Sequence, residues 1–407
     1  MGSSQTKKLL KLFIPIGVVG LVILFIFLWR YRPNYYQPVQ IEPAGQSGSV
    51  ETNTIRIKGE DAGPVEMAIA ISQTVYPATF KDNKAGAVIL VREDQIEEAT
   101  AAIGLIHHPI DAPILYVKED SLPEATRKEL ERLGPEGVMQ DGNVQVYLVG
   151  DIKDKIKDEI KKSFKTRSFQ AENIHQLAYK IDQYKSVMHA DHTDDVILAD
   201  INHPEYYLTA LAWIAHMGSG LAFVDGEKIP EETRQILAER PQDAFIYLMG
   251  PPDIISQKVA GKLIRYGHVQ RIPGDNPFKS SVGFAGYKDI GPNFGWWIGK
   301  STRSFGWGVA EAGHNFIFGN VEDIKTLIPA AVLSHRGKHG PLLIVKKAQL
   351  PDGVKKYLQT TRPTYIGVQE QLFNHGWILN DGEQISDKTR LEIDNLLEVK
   401  KKDEVIQ

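Results

Sequence analysis

The sequence predicts an α/β protein of three tandem repeats, each a small parallel sheet flanked by helices, behind one N-terminal transmembrane helix. A helix-start pattern containing proline occurs three times, and apolar runs of strand length alternate with amphipathic stretches around each copy. In addition, 18 consecutive residues near the N-terminus carry no charge. Alternating strands and helices form a parallel sheet covered on both faces, with right-handed crossovers.

The helix start is the clearest repeated segment. DSLPEATRKELERL at Asp120–Leu133 matches EKIPEETRQILAER at Glu227–Arg240, and AQLPDGVKKYLQTT at Ala348–Thr361 is a weaker third copy. Each copy has a proline and an acid followed by basic and apolar residues at helical spacing, which is typical of a helix N-terminus. The apolar residue before each proline is expected at an equivalent buried position: Leu122, Ile229 and Leu350.

Short apolar runs around each helix start indicate buried parallel strands. The runs before it are Ala112–Lys118, Ser219–Asp225 and Gly340–Lys346, and those after it are Val144–Gly150, Ala244–Gly250 and Pro363–Gln369. Further upstream lie Ala85–Val91, Asp194–Asp200 and His314–Asn320, followed by amphipathic helices at Gln95–His107, Pro204–Met217 and Val321–Arg336. One unit therefore contains alternating helices and strands over about a hundred residues.

The spacing of the repeats sets the predicted boundaries. The marker prolines Pro123, Pro230 and Pro351 are 107 and 121 residues apart, so the third unit is longer, and we assign its extra residues to 291–308. The predicted parts are a membrane anchor (1–32), a flexible stalk (33–54), unit 1 (55–164), unit 2 (165–267), unit 3 (268–399) and a charged tail (400–407).

The uncharged run Leu12–Trp29 predicts an uncleaved anchor. At about 1.5 Å per residue it nearly spans a hydrocarbon core of about 30 Å. A cleaved signal peptide has a shorter apolar core and a small-residue site after it, whereas WRYRPNYY follows here. Three lysines precede the run and two arginines follow it, which favours a cytoplasmic N-terminus. We expect a single-pass bacterial cell-membrane protein with its C-terminal domain extracytoplasmic.

Composition narrows the classes of function. The 47 basic and 51 acidic residues give a formal net charge of -4, so nucleic acid is not an expected partner. The chain has no cysteine, which excludes disulfides, thiolate metal sites and cysteine nucleophiles. This composition agrees with a bacterial envelope location, and no cofactor is expected.

The order of segments in each unit matches a known repeat pattern. Each unit opens with an arginine-containing segment: Ile55–Ser72, Thr166–Asp182 and Val269–Ala285. In unit 1 an Ile-Leu strand (Ala112–Tyr116), the Leu122–Pro123 helix start and a strand ending in glycine (Tyr147–Gly150) follow. From about Thr54 to Val399 the chain resembles the type 2 cell wall-binding repeat, found in tandem threes on surface proteins of Gram-positive bacteria. The Asp-Arg-Tyr-Glu-Thr-Ala helix start of that family is not intact here.

The resemblance implies three copies of one fold and the binding of an anionic cell-wall polymer. From it we expect a non-catalytic envelope protein that binds cell-wall polymer or glycan, or that scaffolds a surface assembly with other surface proteins. Two alternatives stay open. One is an enzyme acting on envelope glycan, with Asp200 and Asp225 at the carboxyl ends of strands. The other is a structural subunit that contacts only protein.

Patterns for metal or phosphate chemistry are weak. Gly299-Lys300-Ser301 is close to a phosphate loop, but Gly295 is one residue too near, and bulky side chains occupy the loop. His189 and His192, in HADHTDD, form a His-x-x-His pair that could bind a metal with a neighbouring carboxylate. A polar solvated loop is the alternative, and no metal site is predicted.

The extra segment of unit 3 is the predicted partner-binding surface. GPNFGWWIGKSTRSFGWG at 291–308 is rich in glycine, aromatic and basic residues. Its flat aromatic faces could meet a sugar ring or a protein, or could fill a small core between units. The candidate ligand-contacting residues are Phe294, Trp296, Trp297, Lys300, Arg303, Phe305 and Trp307.

Overall fold

The computed structural model of the protein describes residues 21–22, 53–60, 63–80, 83–240, 244–289, 304–336, 338–364, 372–379 and 384–400. Within these ranges no helix is both long and apolar enough to cross a bilayer. Of the predicted anchor at 12–29, only Leu21 and Val22 are described, and both are helical and exposed. The rest of the anchor, nearly all of the stalk and the tail beyond Lys400 lie outside the described residues.

Residues 50–407 form one compact unit that contains three four-stranded parallel sheets. The sheet orders are β3-β2-β4-β5, β7-β6-β8-β9 and β11-β10-β12-β1. The strands are β1 (Thr54–Ile57), β2 (Val88–Arg92), β3 (Ile114–Val117), β4 (Val146–Val149), β5 (Thr166–Phe169), β6 (Asp195–Asp200), β7 (Gly220–Val224), β8 (Ala244–Met249), β9 (Gly267–Arg271), β10 (Asn315–Asn320), β11 (Leu342–Val345) and β12 (His375–Leu379). The parallel α/β prediction with three sheets is confirmed for this part of the chain.

Helices cover the sheets. They are α1 (Pro64–Val75), α2 (Ile96–Ala102), α3 (Glu124–Leu133), α4 (Asp154–Lys161), α5 (Ile174–His189), α6 (Pro204–Met217), α7 (Glu231–Ala238), α8 (Gln257–Leu263), α9 (Pro277–Gly286), α10 (Ile324–Leu327), α11 (Val332–His335), α12 (Asp352–Thr360) and α13 (Asp387–Leu397). The central strands β2, β6 and β10 have buried residues along nearly their whole length, which explains why they read as continuous apolar runs.

The repeated helix start has the same structure in all three units. Pro123, Pro230 and Pro351 are the N-cap residues of α3, α7 and α12. Leu122, Ile229 and Leu350, one residue earlier, are all buried. The predicted equivalence of these three positions is confirmed.

Each sheet takes its fourth strand from the segment that opens the next unit. β5 pairs with β4 and β9 pairs with β8, although α5 and α9, which follow them, pack against β7 and β11 of the following sheet. β1 behaves in the same way, because it pairs with β12 of the last sheet while α1 packs against β3 of the first. The three units are thus linked into a closed ring.

Polar contacts hold β1 in the last sheet. The backbone N–H of Asn53 donates to Asp394 Oδ1 at 2.8 Å, and the Thr54 hydroxyl donates to the same oxygen at 2.9 Å. The Asn53 side chain donates to Glu398 at 2.7 Å, and Arg56 pairs with Asp387 at the start of α13. The strand that opens the first unit is therefore attached to the last helix of the third.

The structure of unit 3 departs from the sequence predictions at two places. Beside β10 lies β12, a strand that was not predicted, whereas the strand predicted at Pro363–Gln369 falls mostly outside the described residues, which leave out 365–369. The helix predicted at Val321–Arg336 is divided into α10, a 3-10 turn at Pro329–Ala331 and α11. Pro329 has no N–H to continue an α-helix, which accounts for the interruption.

The second helix of each unit packs at the junction with the next. The 3-10 turn at Ile103–Leu105, directly after α2, contacts α5 and α6. In the same way α6 contacts α9 and α11, and α11 contacts α1. A single hydrophobic core therefore runs from unit 1 into unit 3.

Candidate functional site

A cleft opens at the carboxyl ends of β2 and β3 in unit 1, where parallel α/β sheets place ligands. Its volume is about 570 Å³, and its lining residues are Glu93, Asp94, Lys118, Glu119, Asp120, Ser121 and Pro123. Ion pairs surround it, since Lys118 pairs with Glu93 at 3.0 Å and Lys153 pairs with Asp120. The cleft thus offers carboxylate acceptors of the kind that bind sugar hydroxyl groups, in a mostly acidic setting.

The equivalent strand ends in the other units carry different residues. Arg92, Asp200 and Asn320 have the same register in the three sheets, and each bonds to the loop that follows it. Asp200 is 2% exposed and accepts backbone hydrogen bonds from Asn202 and Gly226, both at 2.9 Å. Its carboxylate thereby fixes the loops after β6 and β7. Asp225, the other acid of the proposed glycan enzyme, accepts at 3.1 Å from the Asn202 side chain.

The described part of the extra segment packs into an aromatic cluster between units 2 and 3. Phe305 is 2% exposed and stacks on Tyr247 with ring centroids 3.4 Å apart. Trp307 stacks on His216 at 5.3 Å and meets Trp213 edge-on at 5.2 Å. The other candidate residues, Phe294, Trp296, Trp297, Lys300 and Arg303, lie outside the described residues, as does the phosphate-loop-like segment at 299–301.

His189 and His192 have different surroundings and do not converge. The His189 ring lies 5.9 Å from that of His107, whereas His192 Nδ1 lies 3.2 Å from Asp182 and 2.8 Å from Arg240. Burial raises the pKa of Asp182, but the neighbouring His192 and Arg240 bring it to about 2. His192 therefore lies beside the buried Arg240–Asp182 ion pair, which joins α5 to the end of α7.

Histidines from all three units meet where the second helices end. We call this the histidine junction and define it as His107, Asp111, His216, His335 and His339. The His107 and His335 rings are 5.3 Å apart, and His335 Nε2 donates to Asp111 Oδ1 at 2.5 Å. Gly218 ends α6 with a φ of 72°, and a Cβ there would lie 3.1 Å from the His107 ring. A glycine is thus needed at this close approach.

Burial and repulsion from neighbouring histidines favour the neutral imidazole of His107 and of His216. The pKa of His107 falls to about 4 because of burial and then the nearby His335, and that of His216 falls to about 4 because of burial and then His339. Burial raises the pKa of Asp111, but hydrogen bonds from His335 and His108 hold it well below its ordinary value.

Sequence reasoning missed this junction, although a signal was present. A histidine follows or ends the second helix of each unit: His107, His216 and His335. The equivalence becomes visible only when the strands are aligned in register, since the helices differ in length and interruption. Among the described residues, no group of three or more His, Asp or Glu side chains is arranged to hold a metal ion.

Comparison with known proteins supports the fold. No protein-family model matches the chain, and no curated protein sequence does. Similar solved structures include two from Clostridium difficile. Cwp8 from Clostridium difficile has a TM-score of 0.63 at 18% identity and covers 85% of this chain and 52% of that chain. Cwp6 from Clostridium difficile has a TM-score of 0.63 at 16% identity and covers 88% and 50%. The chain thus spans about half the length of these structures and shares their fold.

Proposed function

We propose that the protein is a membrane-anchored surface protein of the bacterial cell envelope whose ring of three units binds cell-wall polymer. The observation that carries the proposal is the fold shared with the cell wall proteins Cwp8 and Cwp6 over more than four-fifths of this chain. The resemblance of the repeat to wall-binding units points in the same direction. The anchor at 12–29 would hold the ring outside the membrane.

The charge of the unit 1 cleft bears on the kind of polymer. Four of its seven lining residues are acidic and only Lys118 is basic, and Arg92 and Lys153 beside it pair with three of these acids, so the cleft offers no net positive charge to an anionic chain. A neutral glycan suits it better, because carboxylates accept hydrogen bonds from hydroxyl groups. An anionic polymer would instead meet the extra segment, where Lys300 and Arg303 lie among aromatic residues.

Binding to purified cell wall tests the proposal, with purified membrane as the comparison. A version beginning near Ser47 should sediment with wall material, whereas a protein-only subunit would not. Glu119→Gln with Asp120→Asn should weaken binding if the cleft accepts a neutral glycan. The same double substitution should strengthen binding if an anionic polymer contacts the cleft. Glu227→Gln, at the corresponding place in unit 2, is the matched control.

The extra segment is tested separately. Trp296→Ala with Trp297→Ala should reduce wall binding without a change in melting temperature if these side chains contact polymer. A melting temperature lowered by several degrees with binding intact would support the alternative of a local core.

An activity screen on wall glycan tests the enzyme alternative, with Asp200→Asn as its variant.

Anchoring has its own experiment. The full-length protein should remain in the membrane fraction after carbonate extraction, and the version beginning near Ser47 should be soluble and folded. Recovery of a mature protein without residues 1–32 would contradict the anchor.

A further inference from the structure

We infer that His216 and His339 form a two-histidine site for a divalent transition metal ion, such as Cu²⁺, Ni²⁺ or Zn²⁺, across the junction of units 2 and 3. His216 lies in the last turn of α6, and His339 lies in the loop between α11 and β11. Their Nδ1 atoms are 3.1 Å apart. Two imidazole nitrogens bound to one metal at about 2.0–2.1 Å lie roughly 2.9–3.4 Å apart for tetrahedral or square-planar angles.

The Nδ1 atoms of the two imidazole rings lie within hydrogen-bond distance of each other. Their centroids are 4.6 Å apart and their planes are inclined by 80°, so they meet edge-on rather than stacked. Without a metal, one Nδ1–H donates to the other nitrogen. A metal bound there would replace that proton, with both Nδ1 atoms as its ligands.

Neighbouring groups hold the His216 ring in place before any ion arrives. Trp307 stacks on it with an interplanar angle of 11°, and Trp213 meets it edge-on at 5.8 Å.

Access from solvent suits a metal. His339 is exposed, so an ion reaches the pair from solvent. Imidazole is a preferred ligand of these three ions, and affinity is greatest for Cu²⁺ in the usual order. A bound ion would link α6 of unit 2 to the loop of unit 3.

The test uses the full-length protein in detergent with Cu²⁺ as the probe. Bound Cu²⁺ quenches nearby tryptophan fluorescence, and Trp307 lies in stacking contact with His216. The wild type should show saturable, EDTA-reversible quenching. His339→Asn should raise the apparent Kd for Cu²⁺ by about tenfold or more. His203→Asn, a partly exposed histidine beside Glu205, is the matched control and should leave the titration unchanged.

Two further measurements separate a loss of metal binding from misfolding of the variant. Melting in EDTA should be equal for the wild type and His339→Asn, which excludes misfolding of the variant. Zn²⁺, which does not quench, should raise the melting temperature of the wild type but not of His339→Asn. Identical Cu²⁺ titrations for the wild type and His339→Asn, or an equal Zn²⁺ shift in both, would overturn the inference.

Discussion

His335 Nε2 donates to Asp111 Oδ1 across 2.5 Å, and this contact joins the third unit to the first. The two side chains are 8% and 16% exposed, and Arg336 approaches the other oxygen of Asp111 at 3.5 Å. Asp111→Asn should therefore lower the free energy of unfolding by about 1.5–3 kcal/mol, the typical value of a hydrogen bond to a charged group. Urea unfolding of the version beginning near Ser47 measures it. His108→Asn removes an exposed partner of the same carboxylate and should have a much smaller effect.

Stability should decrease as the pH falls from 7 to 4.5. His107 and His216 have folded-state pKa values of about 4, below the ordinary value of 6.5. Between those values the unfolded chain binds more protons than the folded one, so acidification favours unfolding. Melting temperatures across this range check the sign. His107→Asn should show a shallower pH dependence than the wild type, and an unchanged slope would contradict the assignment.

A charge at the repeated apolar position should be severely destabilising. Ile229→Asp buries an unpaired carboxylate just before α7 and should cost several kcal/mol of unfolding free energy. Leu122→Asp and Leu350→Asp should behave alike, because all three positions are equivalent. Leu391→Asp is the control, since Leu391 is 56% exposed on α13. Chemical denaturation of the four variants provides the comparison.

The Arg240–Asp182 pair should be far more sensitive than an exposed one. The Arg240 side chain is fully buried and donates to both Asp182 oxygens at 2.9 Å. Arg240→Met leaves a buried carboxylate without its cation and should destabilise by about 3–5 kcal/mol. Arg234→Met, which breaks the exposed pair with Glu231, should change stability by less than about 0.5 kcal/mol. Equal losses of unfolding free energy for Arg240→Met and Arg234→Met, measured by calorimetry, would contradict this prediction.

Cross-linking should detect the exchange of β1 between units. The chain has no cysteine, so two introduced thiols react alone. Arg56→Cys with Asp387→Cys should be joined by a short bifunctional thiol reagent, because these residues are in contact. Arg56→Cys with Asp154→Cys is the matched control, since α4 occupies in unit 1 the place of α13 in unit 3. Cross-linking of the control pair alone would place β1 in the first sheet. Peptide mapping identifies the product.

The repeat was predictable because its signal is local. A proline before an acidic helix start and a buried apolar residue before that proline are visible in one window of sequence, and both were found at the expected places. The ring closure was not predictable in this way, because β1 is a four-residue strand whose partner β12 is distant in sequence.

The candidate site was predicted less well, for a different reason. Trp213, Tyr247 and His216 come from unit 2, and their contacts with Phe305 and Trp307 appear only when units 2 and 3 pack together. No spacing rule relates residues that belong to separate repeats. The strand β12 was not predicted, because two short apolar runs follow α12 and neither is distinctive.

The pairing of β1 with β12 also has a consequence for biosynthesis. Asn53 bonds to Asp394, which lies 341 residues later in the chain. At about 5–20 residues per second, a ribosome needs roughly 20–70 s to make the intervening polypeptide. By the end of that interval the sheets of units 1 and 2 have all their strands, whereas β1 has had no partner strand until then. Non-local pairing of this kind is slow. We therefore expect the pairing of β1, the first strand in the described part of the chain, with β12 to come late in the maturation of the nascent chain.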